Sequence, residues 1–202
     1  MSRGGACVIY LCARAKRSRA EMRPLLGGAS LMAMVTSERI VRCLVATVSP
    51  GRASVGDDIG AIVVDELRAA HLEIVRSVMV NREKEYIIQL VRNVATANEA
   101  DAIVLVGGAG LGPRDYACEA VDEMADRHIE GFGEEYRRLL RDDDDGSVAT
   151  AVLTRAAAAT YNGCVVVALP RQTVPMMRRA VQKLLVPILP RAARIAAGGG
   201  HI

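Results

Sequence analysis

"VLVGGAGLGPRDYACEA", Val104 to Ala120, decides how this chain is read. An apolar run stops at Gly107-Gly108. Gly110, Gly112 and Pro113 follow, then Arg114-Asp115, then a segment with helical character. Strand, bare glycine loop and helix start in that order let backbone N–H groups approach an anion closely, with the helix N-terminus adding partial positive charge. Two familiar phosphate loops are excluded. The G-K-[ST] ending of a P-loop is missing, and counting G-x-G-x-x-G from Gly108 and Gly110 puts Pro113 where the last glycine belongs. Arg114 is suited to clamp a phosphate, and Asp115 to hold a magnesium ion that bridges phosphates. A competing reading makes Asp115 the N-cap of a helix starting at Tyr116, with Glu119 one turn later in a capping arrangement.

Working outward, strands and helices alternate from about Ile40. "IVRCLVATV" (Ile40 to Val48) reads as a buried strand, and "IGAIVVDELRAA" puts Ile62, Val63, Leu67 and Ala70 on one helical face. "LEIVRSVMV" (Leu72 to Val80) alternates as a strand. Ile87, Leu90, Val91 and Val94 then form the stripe of a helix packed on a sheet. Ala102 to Val106 is a third strand. Helices are predicted near Tyr116 to Asp126 and Glu134 to Leu140. "CVVVAL" (Cys164 to Leu169) is a fourth strand, and a last helix carries Met177, Val181, Leu184 and Ile188 on one side. Strands this apolar, separated by amphipathic helices, predict the α/β class with a mostly parallel sheet covered on both faces. Ligands of such sheets bind outside the carboxyl ends of the strands. That position belongs here to residues 49–60, 81–83, 107–115 and 170–173. The acidic run Arg141 to Gly146 reads as a solvated loop.

Composition narrows the function. Of 202 residues, 51% are hydrophobic, which suits a packed core. One Phe, five Tyr and no Trp leave little to stack under nucleic-acid bases. The net charge of +3 hides an asymmetry: residues 1–37 carry six basic side chains against Glu21, so they account for +5 and the rest for −2. A slightly acidic domain is a poor footprint for a nucleic-acid polymer. Five scattered cysteines without a C-x-x-C pair predict a reduced, cytoplasmic protein, and three histidines without ligand spacing argue against zinc. The first apolar run is too short to span a membrane. Residues 1–37 form a basic extension that resembles a transit peptide or is a non-native leader, with Met32 or Met34 as the true start. The domain is expected over 38–192 and a flexible tail over 193–202.

The loop resembles the T-G-G-T-G-x-x-x-R-D-x-T-P-E-A element of the MoaB/MogA family of molybdopterin adenylyltransferases, with Gly107, Gly108, Gly110, Arg114, Asp115, Glu119 and Ala120 at matching positions. "EGFGE" (Glu130 to Glu134) is similar to the family's second hallmark. "LTRAAAATYNGCVVVALP" is similar to its S-R-A … N-G … L-P-G segment through Arg155, Ala156, Asn162, Gly163 and Pro170. "VNREKEYI" (Val80 to Ile87) matches V-P-D-E-x-x-x-I in spacing. The likeness runs from about Val41 to Ile188. It implies a three-layer α/β/α domain, a homotrimer or dimer of trimers, and transfer of AMP from Mg-ATP to the terminal phosphate of molybdopterin. It further implies Asp115 as catalytic and magnesium-binding, with Gly107, Gly108, Gly110, Arg114, Glu119 and Asp57 around the phosphates; Arg82 joins these candidates through its own charge.

The departures fall in the same loops. Asn81-Arg82-Glu83 stands for P-D-E, so a carboxylate gives way to Arg82, free to meet a phosphate or Asp115. Val106 and Ala109 replace both threonines, Tyr116-Ala117-Cys118 replaces V-T-P, and Arg171-Gln172-Thr173 replaces G-[ST]-x. Ser49-Pro50 stands for S-D, with Asp57 or Asp58 left to supply an aspartate. A member that binds pterin or nucleotide, or only assembles, without catalysis is therefore the alternative. A nucleotide hydrolase sharing this domain is a weaker third reading.

Overall fold

The most apolar runs become the middle of a sheet. In the computed structural model, which describes residues 40–49, 58–142 and 147–199, β1 (Arg42–Ser49), β3 (Ala102–Val106) and β6 (Cys164–Leu169) are buried along nearly their whole length. Strands with apolar side chains on both faces are stable only where both faces are covered. β2 (Glu73–Asn81) is half-exposed, as its polar alternation requires, and lies at one edge. The basic extension 1–37, Asp57 and most of the acidic run lie outside the described residues.

The sheet order is β2-β1-β3-β6-β5-β4, with β2, β1, β3 and β6 mutually parallel. β5 (Ala157–Tyr161) runs antiparallel to β6, and the short β4 (Arg127–His128) antiparallel to β5. Neither outer strand is predicted from the sequence. β5 is built largely of alanine, which has no strand preference. Its signal is the turn: Asn162 and Gly163 have φ of 46° and 76°, the left-handed pair that joins a two-residue hairpin.

Alternation along each strand sends neighbouring side chains to opposite layers. Val45, Val104 and Val167 face α1 (Asp58–Ala69), α4 (Gly131–Arg141) and α6 (Val174–Ala180) through Val63, Leu67, Phe132, Tyr136 and Met177. Leu44, Ala46, Ile103, Leu105 and Val166 face α2 (Lys84–Thr96) and α3 (Ala117–Met124) through Ile87, Val91, Val94 and Val121. The result is the expected three-layer domain, in which each buried Val or Leu contributes about 1.5–3 kcal/mol of apolar burial. Leu90, assigned to the buried stripe of α2, is only half-buried, and Ile88 and Ala95 are buried beside it. A further short helix, α5 (Val148–Leu153), precedes β5.

At the C-terminal side α6 widens into a π turn (Val181–Leu185) before α7 (Val186–Ala196). Pro187 and Pro190 have no N–H to give to the carbonyls of Lys183 and Val186, so regular pairing is lost where the helix widens. α7 runs past residue 193, where a flexible tail was expected to begin, because Ala193 is buried. Gly198, at φ 84°, donates to Ile195 O at 3.0 Å, and Gly199 to Arg194 O at 2.8 Å, which closes the helix in a Schellman motif. Among the described residues no helix is long and apolar enough to cross a membrane.

Candidate functional site

β1 is followed by α1 on one face of the sheet and β3 by α3 on the other, so the crevice between the ends of β1 and β3 is the switch point where such sheets bind ligands. The glycine loop starts there. The Gly107 N–H donates to Leu169 O at 2.8 Å, pinning the loop to the end of β6. Gly107 and Gly108 have φ of 97° and 64°. A Cβ on the first would stand 3.0 Å from Val48 O, and on the second 2.7 Å from Val48 Cγ1. Both conformation and the end of β1 thus demand glycine at these two places.

Gly110 and Gly112 are bare for another reason. A Cβ on either would lie 2.6 or 2.7 Å from Asp115 Oδ2, and the Gly112 N–H donates to that oxygen at 3.2 Å. The carboxylate folds back into the loop. It does not cap the helix: α3 begins at Ala117, its N-cap is Tyr116, and no side chain bonds to that terminus. The capping arrangement read for Asp115 and Glu119 is therefore overturned, because the bare loop offers Asp115 a nearer donor.

Three successive loop carbonyls turn toward donors of the domain. Gly108 O accepts from Ala117 N–H at 2.7 Å, Ala109 O from Cys118 Sγ at 3.9 Å, and Gly110 O from Arg155 Nη1 at 3.3 Å. In a trans peptide the N–H points opposite to the carbonyl, and no cis peptide occurs among the described residues. The N–H groups of Ala109, Gly110 and Leu111 are consequently directed away from α3 and Arg155. Ala109 is fully buried, so the Gly110 and Leu111 N–H groups are the pair left open to an anion.

Arg155 belongs to a sequence motif but not to the site residues expected from it. It arrives because β5 is antiparallel: Ala157 pairs with Ala168, so the start of β5 lies beside the end of β6. Its Nη2 donates to Glu119 Oε1 at 2.7 Å. Burial depresses the Arg155 pKa, but the Glu119 hydrogen bond and nearby ionisable groups outweigh it and hold the guanidinium above its ordinary value. Glu119 Oε2 is buried and has no hydrogen-bond partner among the described residues. Arg155 also lines a cleft of about 270 Å³ together with Glu130 and Gly133 of "EGFGE". A Cβ on Gly133 would meet Ala156 O at 2.7 Å, which explains that glycine.

Arg114 is exposed and Arg82 half-buried. The Arg82 backbone N–H donates to Ser49 O at 3.2 Å, tying the ends of β2 and β1. Among the described residues no ion pair joins Arg82 to Asp115. Burial pushes the Cys118 thiol up to about 11 and those of Cys43 and Cys164 to about 12, so none is a ready nucleophile. Among the described residues no group of three or more His, Cys, Asp or Glu could hold a metal. Magnesium is commonly bound by one or two carboxylates together with substrate phosphates. Asp115 fits that shared mode, whereas an all-protein cage is absent from the described residues.

Residues 32–191 match the family model described as "Probable molybdopterin binding domain". The chain belongs to the MoaB/MogA family. The MoaB/MogA likeness extends to individual proteins: the molybdenum cofactor biosynthesis protein B of Halalkalibacterium halodurans is 31% identical over 156 residues, spanning 77% of this chain and 90% of that one. A crystal structure of a molybdenum cofactor biosynthesis protein B superimposes with a TM-score of 0.71 at 29% identity, covering 79% of this chain and 98% of that one. The molybdopterin biosynthesis enzyme MoaB of Thermus thermophilus gives 0.68 at 27% identity, over 79% and 98%.

Proposed function

We propose that this chain acts in molybdenum cofactor biosynthesis by adenylylating molybdopterin with Mg-ATP. The observation that carries the reading is the loop itself, in which the domain holds the Ala109 and Gly110 carbonyls, leaving the Gly110 and Leu111 N–H groups on the opposite side, and Asp115 folds back onto the Gly112 N–H. A terminal phosphate oxygen of molybdopterin attacks the α-phosphorus of ATP. The new P–O bond forms as the bond to the β-phosphate bridging oxygen breaks, and pyrophosphate leaves with that electron pair. The nucleophile is already ionised near neutral pH, so no strong base is needed, which agrees with the neutral Cys118. The chain's task is to hold two anions together and to offset their charge. The loop N–H groups receive phosphate oxygens, and Arg114 and Arg82 approach from the rim. Asp115 would hold magnesium jointly with the phosphates. Bound there, the ion supplies charge neutralisation to the triphosphate.

A second reading, a pterin- or nucleotide-binding member without turnover, is favoured by Arg82 at the aspartate position. The experiment that separates the two is incubation of the purified protein with molybdopterin and Mg-ATP, scoring adenylylated pterin, with pterin binding measured in parallel without ATP. Product that requires magnesium supports the enzyme. Binding without product supports the second reading, and neither result sinks both.

The same reading includes a cytoplasmic homotrimer or dimer of trimers. Val148, Val152 and Leu153 on α5 are 60–67% exposed and offer apolar surface for self-association, and the free buried thiols suit a reducing compartment. Sedimentation as a monomer at micromolar concentration would remove the assembly.

A further inference from the structure

We propose that Arg155 is a positioning residue, which sets the orientation of the Gly110–Leu111 peptide and so aims the Leu111 N–H at the bound phosphate. The proposal deepens the adenylylation reading and rests on it for the identity of the anion. Its structural part stands on two contacts of one guanidinium, Nη1 on Gly110 O at 3.3 Å and Nη2 on Glu119 Oε1 at 2.7 Å.

The three oriented carbonyls do not depend on equal restraints. Those of Gly108 and Ala109 are held by Ala117 and Cys118, which belong to α3 and follow the loop directly. That of Gly110 is held by a side chain 45 residues away in sequence. Its peptide is also the easiest to turn over, since Gly110 tolerates both signs of φ and Leu111 is exposed. Local sequence leaves this peptide free to adopt either orientation; Arg155 selects one.

Glu119 fixes the selector. With one carboxylate oxygen on Nη2, the planar fork is left with Nη1 toward the loop. The second oxygen, Oε2, is buried and has no partner among the described residues, so among them Arg155 is what anchors the carboxylate. A lysine at 155 would keep the charge but not the two-pronged geometry, because an ammonium is a point donor. Glu119 thus acts through Arg155, and Arg155 through the loop backbone.

The test is amide hydrogen exchange of the full chain, wild type against Arg155→Lys and Arg155→Met, with ATP binding and steady-state kinetics on the same preparations. Exchange at the hydrogen-bonded loop amides of Gly112 and Asp115 is expected to rise about tenfold or more in Arg155→Met, the scale set by losing a charge-assisted hydrogen bond. Exchange in β3 should stay unchanged, which shows that the domain is folded. ATP affinity or KM should worsen more than kcat, with Arg155→Lys falling short of wild type. Should Arg155→Met not fold, Arg155→Lys carries the same comparison. Loop exchange identical to wild type in a folded variant would overturn the proposal. A loosened loop in a protein whose wild type binds no ATP would leave the positioning role standing and remove the adenylylation reading instead.

Discussion

The carboxylate of Asp115 occupies the space that a side chain on Gly110 would need, with Oδ2 lying 2.6 Å from where its Cβ would stand. Two residues that a sequence motif presents as separate contributors are one unit. The glycine is bare so that the aspartate can turn inward, and the aspartate keeps the loop folded through Gly112.

Gly110→Ala should therefore act as a displaced Asp115. The contact is with the end of a side chain, so the fold loses less than about 1 kcal/mol. Turnover should fall about a hundredfold or more, as when a charged contact to the reacting phosphates is lost. Asp115→Asn is expected to cost a similar factor, and the double variant little more than either alone. Full additivity in adenylylation assays would show that the two act independently.

Gly108→Ala makes the contrast. Its Cβ would stand 2.7 Å from Val48 Cγ1 at a φ of 64°, so strain falls on the core end of β1. About 1–3 kcal/mol of stability should be lost in urea unfolding. Gly131→Ala has nothing within 4 Å of the new methyl and should be neutral or slightly stabilising.

Tyr136 is fully buried and its hydroxyl has no partner among the described residues. Tyr136→Phe removes a desolvated donor without changing the ring's packing. Stability should be unchanged or raised by up to about 1 kcal/mol. A clear loss of stability on denaturant unfolding would reveal a hydrogen bond that the hydroxyl does make.

Alkaline pH should unfold the domain through its thiols. Cys43 and Cys164 have their pKa raised by burial from 9.0 to about 12. Above about pH 9 the unfolded chain loses protons that the native state still holds. The stabilisation is intact below that pH and drains away up to about 12, by at most about 1.4 kcal/mol per pH unit per thiol. Unfolding free energies at about pH 8 and about pH 10 should differ less in a Cys43→Ala/Cys164→Ala variant than in wild type. An equal difference would sink the account.

What could be read beforehand followed from burial. β1, β3 and β6 were legible because strands covered on both faces leave uninterrupted apolar runs, and the loop because glycines cluster visibly. β4 was not, since two residues carry no period. β5 hid in alanines, although Asn162-Gly163 marked its turn. The direction of Asp115 escaped because a carboxylate can cap a helix or fold back with equal local chemistry. Arg155 escaped because its place depends on β5 pairing with β6, and the alanines of β5 masked the strand that the Asn162-Gly163 turn announces. The apolar exposure of Val148, Val152 and Leu153 likewise has no local signature.

The turn at Asn162 and Gly163 also bears on how the molecule is made. β5 and β6 are neighbours in the chain and can zip within microseconds, whereas the pairing of β3 with β6 must close over α3, α4, α5 and β5. Until that late closure the Arg155 guanidinium has no loop to grip. The polypeptide is thus expected to reach its working shape last at the place where it works, so that a chain stalled short of completion binds nothing.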